Sequence, residues 1–294
     1  MVPNDRFRWD WLCPVTPVPY VPTLGPVRPA ALSAELFDAV VGNAGTDRFL
    51  PYDKDRRWSS TKDERVIVEE VIHQPGLTVI PTLSTRGHSL VKIHHYGTGT
   101  PTRSEMTEWS SACFTTIGAS ASHVIWCQDV PHGASTRVMC KTFGAGKKYD
   151  RGPLTPLAEC RVADTFPAFA DQLTEQGFAF LHQRMRAGFS DGPILVAVDD
   201  GRIVGAVGPL GILLDPSGAH ILPPAYFAVH PDYRRRGHGT ALWRAAMAWG
   251  AEHGAEYKIL QAASGSPSER LYLSEGLATL GFVCRQNFTA PAGP

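Results

Sequence analysis

The sequence predicts a protein of the α/β (α+β) class, with two domains that follow an N-terminal arm. Its 294 residues exceed the roughly 100–200 residues of a typical domain. Hydrophobic residues make up 43% of the chain and charged residues 19%, which allows packed cores. Short β-branched runs alternate with segments of helical periodicity. One stretch near residues 144–157, FGAGKKYDRGPLTP, is rich in Gly, Pro and charge, and we interpret it as the linker between the domains.

The composition argues against several classes of protein. The formal net charge is zero and the pI is about 7.2, so nothing attracts the whole chain to nucleic acid or anionic membranes. No apolar run reaches the about 18 residues of a transmembrane helix, and the N-terminus lacks the apolar core of a secretory signal. Six scattered cysteines without CxxC spacing predict free thiols in the cytoplasm. Adjacent His94 and His95 would face opposite sides of a strand, so we expect no metal site.

An extended arm and an α/β domain are predicted for the first half of the chain. Residues 1–30 carry seven prolines, and Trp9, Trp11 and Tyr20 would pack this arm onto the body. The N-terminal α/β domain is predicted over residues 31–150. Its predicted helices are ALSAELFDAVVG and TRSEMTEWSSACFTTIG, and its predicted strands are ERVIVEEVI, LTVIPTLS, SLVKIHHYG, SHVIWCQDV and TRVMCKTFG.

A second domain is predicted over residues 158–292, where strands and helices alternate more regularly. Asp200-Gly201 favours a two-residue hairpin turn, and Ser266-Pro267 favours a helix start. The predicted strands are AECRVA, PILVAVDD, RIVGAVGPLGILLD, LPPAYFAVHP, AEYKILQAA and ATLGFVCRQNF. The predicted helices are DTFPAFADQLTEQGFAFLHQRMRAG (one or two helices), the run from Gly239 to His253-Gly254, and SPSERLYLSEGL.

The most informative stretch is VHPDYRRRGHGTALWRAAMAWG, residues 229–250, where three arginines precede two glycines and a helical pattern. A helix start leaves backbone N–H groups unpaired at the positive end of the helix dipole. Glycines let the backbone approach a ligand closely, and arginines add charge and forked donors. Residues 234–240 therefore predict a cradle for a phosphate or pyrophosphate group. The stretch is neither a Walker loop nor a dinucleotide fingerprint, because GxxxxGK[ST] and GxGxxG are absent.

The segment AYFAVHPDYRRRGHGTAL resembles the acetyl-CoA-binding motif of the GNAT N-acetyltransferase superfamily, V-x-P-x-[YFW]-[RQ]-x-x-G-x-[GA] running into a long helix. The downstream ERLYLSEGL resembles the family's later motif, a helix with a tyrosine four residues before a Gly-aliphatic pair, here Tyr272 and Gly276-Leu277. The resemblance covers residues 158–292. It implies the GNAT acyltransferase fold, a mixed central sheet flanked by helices, and says little about the substrate. The motif positions are filled by Val229, Pro231, Tyr233, Arg234, Gly237 and Gly239.

The resemblance also implies roles for these residues. The strand before the cradle would hold the pantetheine arm and the thioester, and its backbone N–H groups would stabilise an oxyanion. The amine would attack directly, with no acyl-enzyme, and Tyr272 would be the general acid that protonates the departing thiolate. The helix start would hold the pyrophosphate, mostly through N–H groups. The residues assigned to acetyl-CoA in this way are Phe227, Ala228, Val229, Arg234, Arg235, Arg236, Gly237, His238, Gly239 and Thr240.

The general base is where the sequence departs from the family. Many members carry a glutamate on the strand of the oxyanion site or on the strand after the long helix. Here ILPPAYFAV has no carboxylate, and EYKILQAA has Glu256 only at its start. The asparagine that often precedes the tyrosine is replaced by Gly265. Water, Tyr226, His220 and His230 remain as candidate routes for the proton of the amine.

Residues 31–150 receive no definite role from the sequence. The order strand, helix, strand, strand over residues 90–143 resembles the second half of the GNAT fold, which favours a degenerate GNAT-like domain that lends walls to the acceptor pocket. No phosphate cradle opens its helix, because GTGTPTRSEM lacks the arginine-flanked glycines. Trp58, Trp109 and Trp126 either line such a pocket or belong to the core.

We therefore expect an acyl-CoA-dependent N-acyltransferase that uses acetyl-CoA and a primary amine of a small molecule. The second hypothesis is a non-catalytic CoA-binding sensor or interaction module, motivated by the missing carboxylate. The third is transfer of another acyl or aminoacyl group, or transfer onto a protein amine. A homodimer is expected as a partner only by analogy with the family, and nucleic acid and membrane are not expected as partners.

Overall fold

The structure is a computed structural model that describes residues 20–85, 90–144, 149, 152 and 154–290. Most of the predicted arm, with Trp9 and Trp11, lies outside these residues. The helices are α1 (Ala34–Gly42), α2 (Arg103–Ile117), α3 (Phe166–Gln172), α4 (Phe178–Arg186), α5 (His238–Glu252) and α6 (Pro267–Ser274). The strands are β1 (Tyr20–Val21), β2 (Gly25–Pro26), β3 (Glu64–Val66), β4 (Ile72–Gln74), β5 (Leu77–Ser84), β6 (Leu90–Gly97), β7 (Ala121–Gln128), β8 (Ala134–Thr142), β9 (Thr155–Pro156), β10 (Leu195–Asp199), β11 (Arg202–Gly208), β12 (Leu213–Leu214), β13 (His220–Leu222), β14 (Tyr226–Val229), β15 (Tyr257–Ala263) and β16 (Ala278–Thr289).

The chain divides into two compact units and passes from one to the other at four places, after Lys141, Leu213, Gly218 and Lys258, the last of which lies within β15. The predicted domain limits, drawn along the sequence at 31–150 and 158–292, stay a prediction. The first unit holds Met1–Lys141, Leu214–Gly218 and Ile259–Pro294, and the second holds Thr142–Leu213 and Ala219–Lys258.

The first unit is built on a mixed sheet. Its strands follow the order β15, β8, β16, β7, β6, β5, β3, and β4 also pairs with β5. β6 and β7 are parallel and α2 connects them, whereas β16 is antiparallel to both β7 and β8. Phe282 of β16 lies opposite Gln128 on one side and Arg137 on the other. β16, the last strand of the described residues, therefore lies between β7 and β8, which both come from the first half of the chain.

Different clusters cover the two faces of this sheet. The ring of His94 stacks on Tyr20 with centroids 5.9 Å apart, on the face that packs against α1 and the β1–β2 hairpin. The ring of His95 stacks on Trp109 of α2 at 5.6 Å, on the opposite face. The predicted alternation of the two histidines is thus confirmed. Trp109 and Trp126 belong to the buried cluster beneath α2, so these two tryptophans are core residues.

Capping signals in the sequence start and end the helices of the first unit. The Ser33 hydroxyl accepts the N–H of Leu36 at the start of α1. Thr102 and Glu105 form a reciprocal capping box at the start of α2, and Gly118 ends that helix at φ 65°. The predicted order of strand, helix, strand, strand over residues 90–143 is confirmed by β6, α2, β7 and β8.

The second unit contains a four-stranded antiparallel sheet of order β14, β11, β10, β9. Period-two alternation sends successive side chains to opposite faces. Val196 joins a cluster with Phe169 and Phe178 of α3 and α4, whereas Leu195 joins a cluster with Leu242 of α5. Full burial of each such side chain contributes roughly 1.5–3 kcal/mol. The sheet of this unit is therefore covered by α3 and α4 on one face and by α5 on the other.

Two turns shape the second unit, and the first of them forms where the sequence predicts it. Asp200 and Gly201 adopt φ 49° and 69° and join β10 to β11 as a hairpin. The long helical run breaks into α3 and α4 at Gly177, so two helices form rather than one. The part of β15 in this unit pairs in parallel with β13, through Ile221 opposite Tyr257.

Some strand predictions are wrong. AECRVA, residues 158–163, forms no strand: two 3₁₀ turns, Leu157–Glu159 and Ala163–Thr165, occupy this segment. A six-residue segment in which charged residues alternate with apolar ones fits several conformations. Here N–H groups are satisfied within the turns, as from Cys160 to the Leu157 carbonyl. ERVIVEEVI is likewise divided into β3 and β4 by a 3₁₀ turn.

Prolines divide two further predicted strands. LPPAYFAVHP becomes β13 and β14, because Pro223-Pro224 removes two ladder donors in succession. RIVGAVGPLGILLD becomes β11 and β12, with Gly208-Pro209 after the first. The linker predicted near residues 144–157 is described only in part, and its Thr155–Pro156 is β9, which pairs with β10.

Candidate functional site

β14 is the terminal strand of the four-stranded sheet within the described residues. Its register places Phe227 opposite Val207 and Val229 opposite Gly205. The N–H of His230 donates to the carbonyl of Val204 at 2.8 Å, which fixes the phase of the hydrogen-bond ladder. Antiparallel ladders alternate, so the backbone groups of Phe227 and Val229 point away from β11. An edge of this kind can take a further extended chain.

The three arginines after β14 have different surroundings. Arg234 donates its Nε–H to the carbonyl of Val229 at 3.2 Å. Arg236 donates to Asp199 at 3.4 Å and lies over the ring of Tyr233 with 4.7 Å to the centroid. Arg235 is exposed at φ 63° and makes no hydrogen bond or ion pair with the described residues. Of the three, Arg235 is therefore the side chain that no residue within the described ranges engages.

The start of α5 carries no side-chain cap from the part of the chain that the structure describes. Its N-cap is Gly237 at φ 89°, and a Cβ built there meets no atom within 4 Å. By contrast, hydroxyls of Ser33, Thr102 and Ser266 cap α1, α2 and α6. Space therefore stands open beside the first N–H groups of α5, and the positive end of its dipole faces that space.

This helix start lies directly against β14. A Cβ built at Gly239 would be 3.8 Å from Cγ2 of Val229 and 3.9 Å from Cζ of Phe227. These are van der Waals distances, so the first turn of α5 packs against the side chains of the strand edge. The structure brings the predicted acetyl-CoA residues together in one place: Phe227, Ala228, Val229, Arg234, Arg235, Arg236, Gly237, His238, Gly239 and Thr240. Ala228 alone among the strand residues is buried.

Comparison with known proteins identifies the family of this region. Residues 159–276 match the model of the acetyltransferase (GNAT) family. The chain contains a GNAT acetyltransferase domain. No curated protein matches the chain.

Solved structures related to the GNAT domain are distant in sequence. An acetyltransferase from the GNAT family of Colwellia psychrerythraea is 10% identical, over 92% of this chain and 99% of that one, with a TM-score of 0.47. A GCN5-related N-acetyltransferase from Sphaerobacter thermophilus is 13% identical, over 74% and 82%, with a TM-score of 0.44. A tandem GNAT protein from the clavulanic acid biosynthesis pathway is 11% identical, over 74% and 80%, with a TM-score of 0.43. The family assignment rests on the family model and not on these likenesses.

A carboxylate that the sequence analysis did not single out lies beside the cradle of the GNAT domain. Asp199 ends β10, and its Oδ2 is 3.2 Å from Nε2 of His238 and 3.4 Å from Arg236. The hydrogen bond from His238 lowers the pKa of Asp199. A lowered pKa means that the carboxylate is charged at neutral pH and loses these contacts only as the pH falls through that lowered value. Its one signal in the sequence is its place before the Asp200-Gly201 hairpin.

Tyr233 holds the turn between β14 and α5 in shape. The side chain is buried, and its hydroxyl accepts hydrogen bonds from Arg202 and donates one to Asp200 at 3.2 Å. The guanidinium groups of Arg202 and Arg236 lie over its ring. The tyrosine of the motif therefore connects the cradle to the β10–β11 hairpin.

The candidate routes for the proton of the amine differ in their surroundings. Nδ1 of His230 already accepts the N–H of Asp232 at 3.3 Å. His220 is half-exposed, and its Nδ1 lies 3.6 Å from Glu256, which also accepts the N–H of His220. The ring of Tyr226 packs against aromatic residues of the α3–α4 cluster. Glu256, the carboxylate that precedes β15 in the sequence, is thus occupied by His220.

Tyr272 lies in the last turn of α6, in the first unit. Its side chain is only 9% exposed, and burial raises the pKa of its phenol to about 12. A raised pKa keeps the proton on the phenol throughout the neutral and moderately alkaline range. The phenol therefore still carries the proton that the resemblance assigns to it at the pH where an amine becomes neutral.

Three further findings on the described residues concern metal ligands, thiols and membrane-spanning helices. No cluster of three or more metal-ligating side chains occurs among them. Their five cysteines, Cys113, Cys127, Cys140, Cys160 and Cys284, are free thiols. No helix in the described ranges combines the length and apolar character needed to cross a bilayer.

Proposed function

We propose that this protein is an acyl-CoA-dependent N-acyltransferase that transfers the acetyl group of acetyl-CoA to a primary amine of a small molecule. The observation that carries the proposal is the start of α5, where N–H groups that no described side chain caps face open space beside the edge of β14. Such a helix start binds phosphate groups through backbone donors and the helix dipole. The start of α5 suits a pyrophosphate and the adjacent edge of β14 suits an extended pantetheine arm. Together they support acetyl-CoA as the donor.

The cradle residues would bind and orient the donor. N–H groups from Gly237 to Thr240 would donate to the pyrophosphate, and the unengaged Arg235 would add charge. The outward-pointing N–H groups of Phe227 and Val229 would donate to the pantetheine arm and polarise the thioester carbonyl. Acetyl-CoA supplies the activated acetyl group, and the rest of the reaction falls to the amine and to groups of the chain.

The proposed reaction involves one bond formed, one bond broken and two proton transfers. A neutral amine forms the C–N bond as the C–S bond breaks, and Tyr272 donates a proton to the departing thiolate. The amine nitrogen must lose a proton. Because β14 carries no carboxylate and Nδ1 of His230 is already an acceptor, we assign that proton to water. The scattered free thiols favour the cytoplasm as the place of this reaction.

A CoA-binding sensor without catalytic activity is the second candidate. The absence of a carboxylate from the sequence of β14 favours it, since many family members carry a glutamate on this strand or on the one after the long helix. Transfer of a longer acyl or aminoacyl group, or transfer onto a protein amine, would use the same cradle. These variants change the acceptor or the acyl chain and leave the cradle residues in the same role.

Titration calorimetry with acetyl-CoA tests the binding half of the proposal, and release of free thiol from a panel of small amines tests the catalytic half. We expect saturable binding of acetyl-CoA and amine-dependent thiol release. Binding without turnover on any amine or peptide would favour the sensor. No heat of binding at millimolar acetyl-CoA would reject both candidates. Sedimentation of the same samples tests for a homodimer.

Replacing Asp199 with asparagine should tighten acetyl-CoA binding a few-fold at low salt, because the carboxylate competes with the ligand phosphates for Arg236 and His238. The gain should shrink at high ionic strength. Asp200→Asn is the matched control, since it removes an equal charge from the same hairpin while an amide oxygen can still accept from Tyr233. Calorimetry measures both variants, and weaker binding by Asp199→Asn would show that the carboxylate orders the cradle instead.

A further inference from the structure

The helix that carries Tyr272 is held by strand β8, which precedes the region matched by the family model. Nε of Arg137 lies 2.6 Å from Oε1 of Glu269 in the first turn of α6. The other carboxylate oxygen, Oε2, accepts the N–H of Gly265 at 2.6 Å. Glu269 therefore connects β8 to the turn before the helix.

Arg137 itself has little freedom. A second donor of its guanidinium group bonds the hydroxyl of Thr279 at 2.8 Å, and the group lies over the ring of Phe282 with 4.6 Å to the centroid. Both of these partners belong to β16, the strand next to β8. Three contacts of a planar, forked side chain thus fix its position more firmly than one ion pair would.

The opposite end of α6 is held by the same strand. Lys141, four residues after Arg137 on β8, donates to the carbonyl of Glu275, the C-cap residue of α6. Just before the helix, the N–H of Ser264 donates to the carbonyl of Ser135 at 3.1 Å. A cation at the end of a helix also interacts favourably with its dipole.

A short helix needs such anchors to keep one orientation. α6 has eight residues, and isolated helices shorter than about 12–15 residues are marginal in water. Tertiary contacts must therefore set where its side chains lie. Tyr272 is between the two anchored ends, one turn after Glu269 and three residues before Glu275.

We propose that Arg137 and Lys141 of β8 are positioning residues for Tyr272, which they hold through the two ends of α6. The proposal rests on the proposed function, in which Tyr272 donates a proton to the departing thiolate. The segment before the GNAT domain thereby takes part in catalysis. Its Arg137 and Lys141 form a clamp, by which we mean their contacts with the two ends of the helix that carries the general acid. Neither residue touches the reacting atoms.

The test is a double-mutant cycle on kcat. Arg137→Gln should lower kcat about ten- to a hundredfold at unchanged KM for acetyl-CoA, because a small displacement of a catalytic group costs that much. In a Tyr272→Phe background, Arg137→Gln should not lower kcat any further. The loss of thermal stability caused by Arg137→Gln should be equal in both backgrounds. Arg137→Lys, which keeps charge without the fork, should recover part of the rate. Arg285→Gln, on the exposed side of β16, is the matched control and should leave kcat unchanged.

An equal loss of kcat in both backgrounds would overturn the proposal, since the clamp would then act on stability alone. Lys141→Met provides a second, milder variant should Arg137→Gln not fold, with the same expectation in the cycle. Hydrogen exchange separates this failure from failure of the proposed function. Whether or not the wild-type protein turns over, Arg137→Gln should speed exchange in residues 267–274 and leave residues 238–252 unchanged. Unaltered exchange in α6 would show that Arg137 does not hold this helix, which would overturn the proposal. Faster exchange in a protein without turnover would show that Arg137 holds α6 but that the contact has no part in catalysis.

Discussion

Replacement of Tyr272 with phenylalanine is expected to lower kcat by about 10²–10⁴, the usual contribution of a positioned general acid. The change removes one hydroxyl and keeps the ring that is buried with α6. Binding of acetyl-CoA should be unaffected, because the cradle lies on β14 and α5. Steady-state kinetics with saturating amine, together with calorimetry for acetyl-CoA, measures the two effects separately. Tyr52→Phe, in the hydrophobic cluster around Phe37, is a matched control that should keep the wild-type rate.

The pH profile of the wild-type enzyme follows from the same phenol. Because burial raises its pKa to about 12, Tyr272 keeps its proton while the amine substrate loses its own. kcat should therefore rise with pH and then level off, with no alkaline fall near the ordinary tyrosine pKa of about 10. A fall near that pH in the wild type, absent from Tyr272→Phe, would show that the phenol titrates normally and is not buried in the working enzyme.

Signals that act within a few residues made much of the fold predictable. Asp200-Gly201 allows the positive φ values of a tight hairpin, and Ser266 caps α6 because its hydroxyl reaches the N–H of Glu269. Glycines before an apolar-periodic run likewise predict the start of α5. In each case, the signal and the backbone that it shapes lie within a few residues of each other.

Partners far apart in the chain could not be predicted. β16 lies between β7 and β8, more than a hundred residues earlier, and any β-branched strand of suitable length could pair there. Residues 158–163 show the same limit: the segment alternates apolar and charged residues as a strand would, but it forms turns. Pairing is decided by tertiary contacts, which single-sequence patterns do not contain.

The candidate site was likewise predictable in part: its location follows from the sequence, but the contacts of its individual side chains do not. The sequence predicts the cradle as a unit, but it cannot distinguish three adjacent arginines, whose long side chains reach different partners. Only the structure shows Arg236 beside Asp199 and Arg235 without a protein partner among the described residues. Arg137 was missed for a related reason: it lies well before both family motifs, and its contact with Glu269 spans 132 residues of sequence.

Replacement of Gly237 with alanine should weaken acetyl-CoA binding at least tenfold, as expected from losing a hydrogen bond to a charged group, about 1.5–3 kcal/mol. Gly237 is the N-cap of α5 at φ 89°, and the added Cβ would point into space where no neighbouring atom of the described residues lies within 4 Å. That space is where the ligand phosphates would lie. Because an L-residue at positive φ is also strained by roughly 1–2 kcal/mol, some loss of stability should accompany the loss of affinity.

Gly188→Ala separates strain from binding. Gly188 follows α4 in the same unit, has φ 83°, and likewise has no atom within 4 Å of a built Cβ. It should therefore lose a similar amount of thermal stability and keep the wild-type affinity for acetyl-CoA. Calorimetry and thermal unfolding of both variants give the comparison. If Gly237→Ala bound acetyl-CoA as tightly as Gly188→Ala, the open space at the start of α5 would not be the phosphate cradle, because an extra methyl group there could not leave such a site intact.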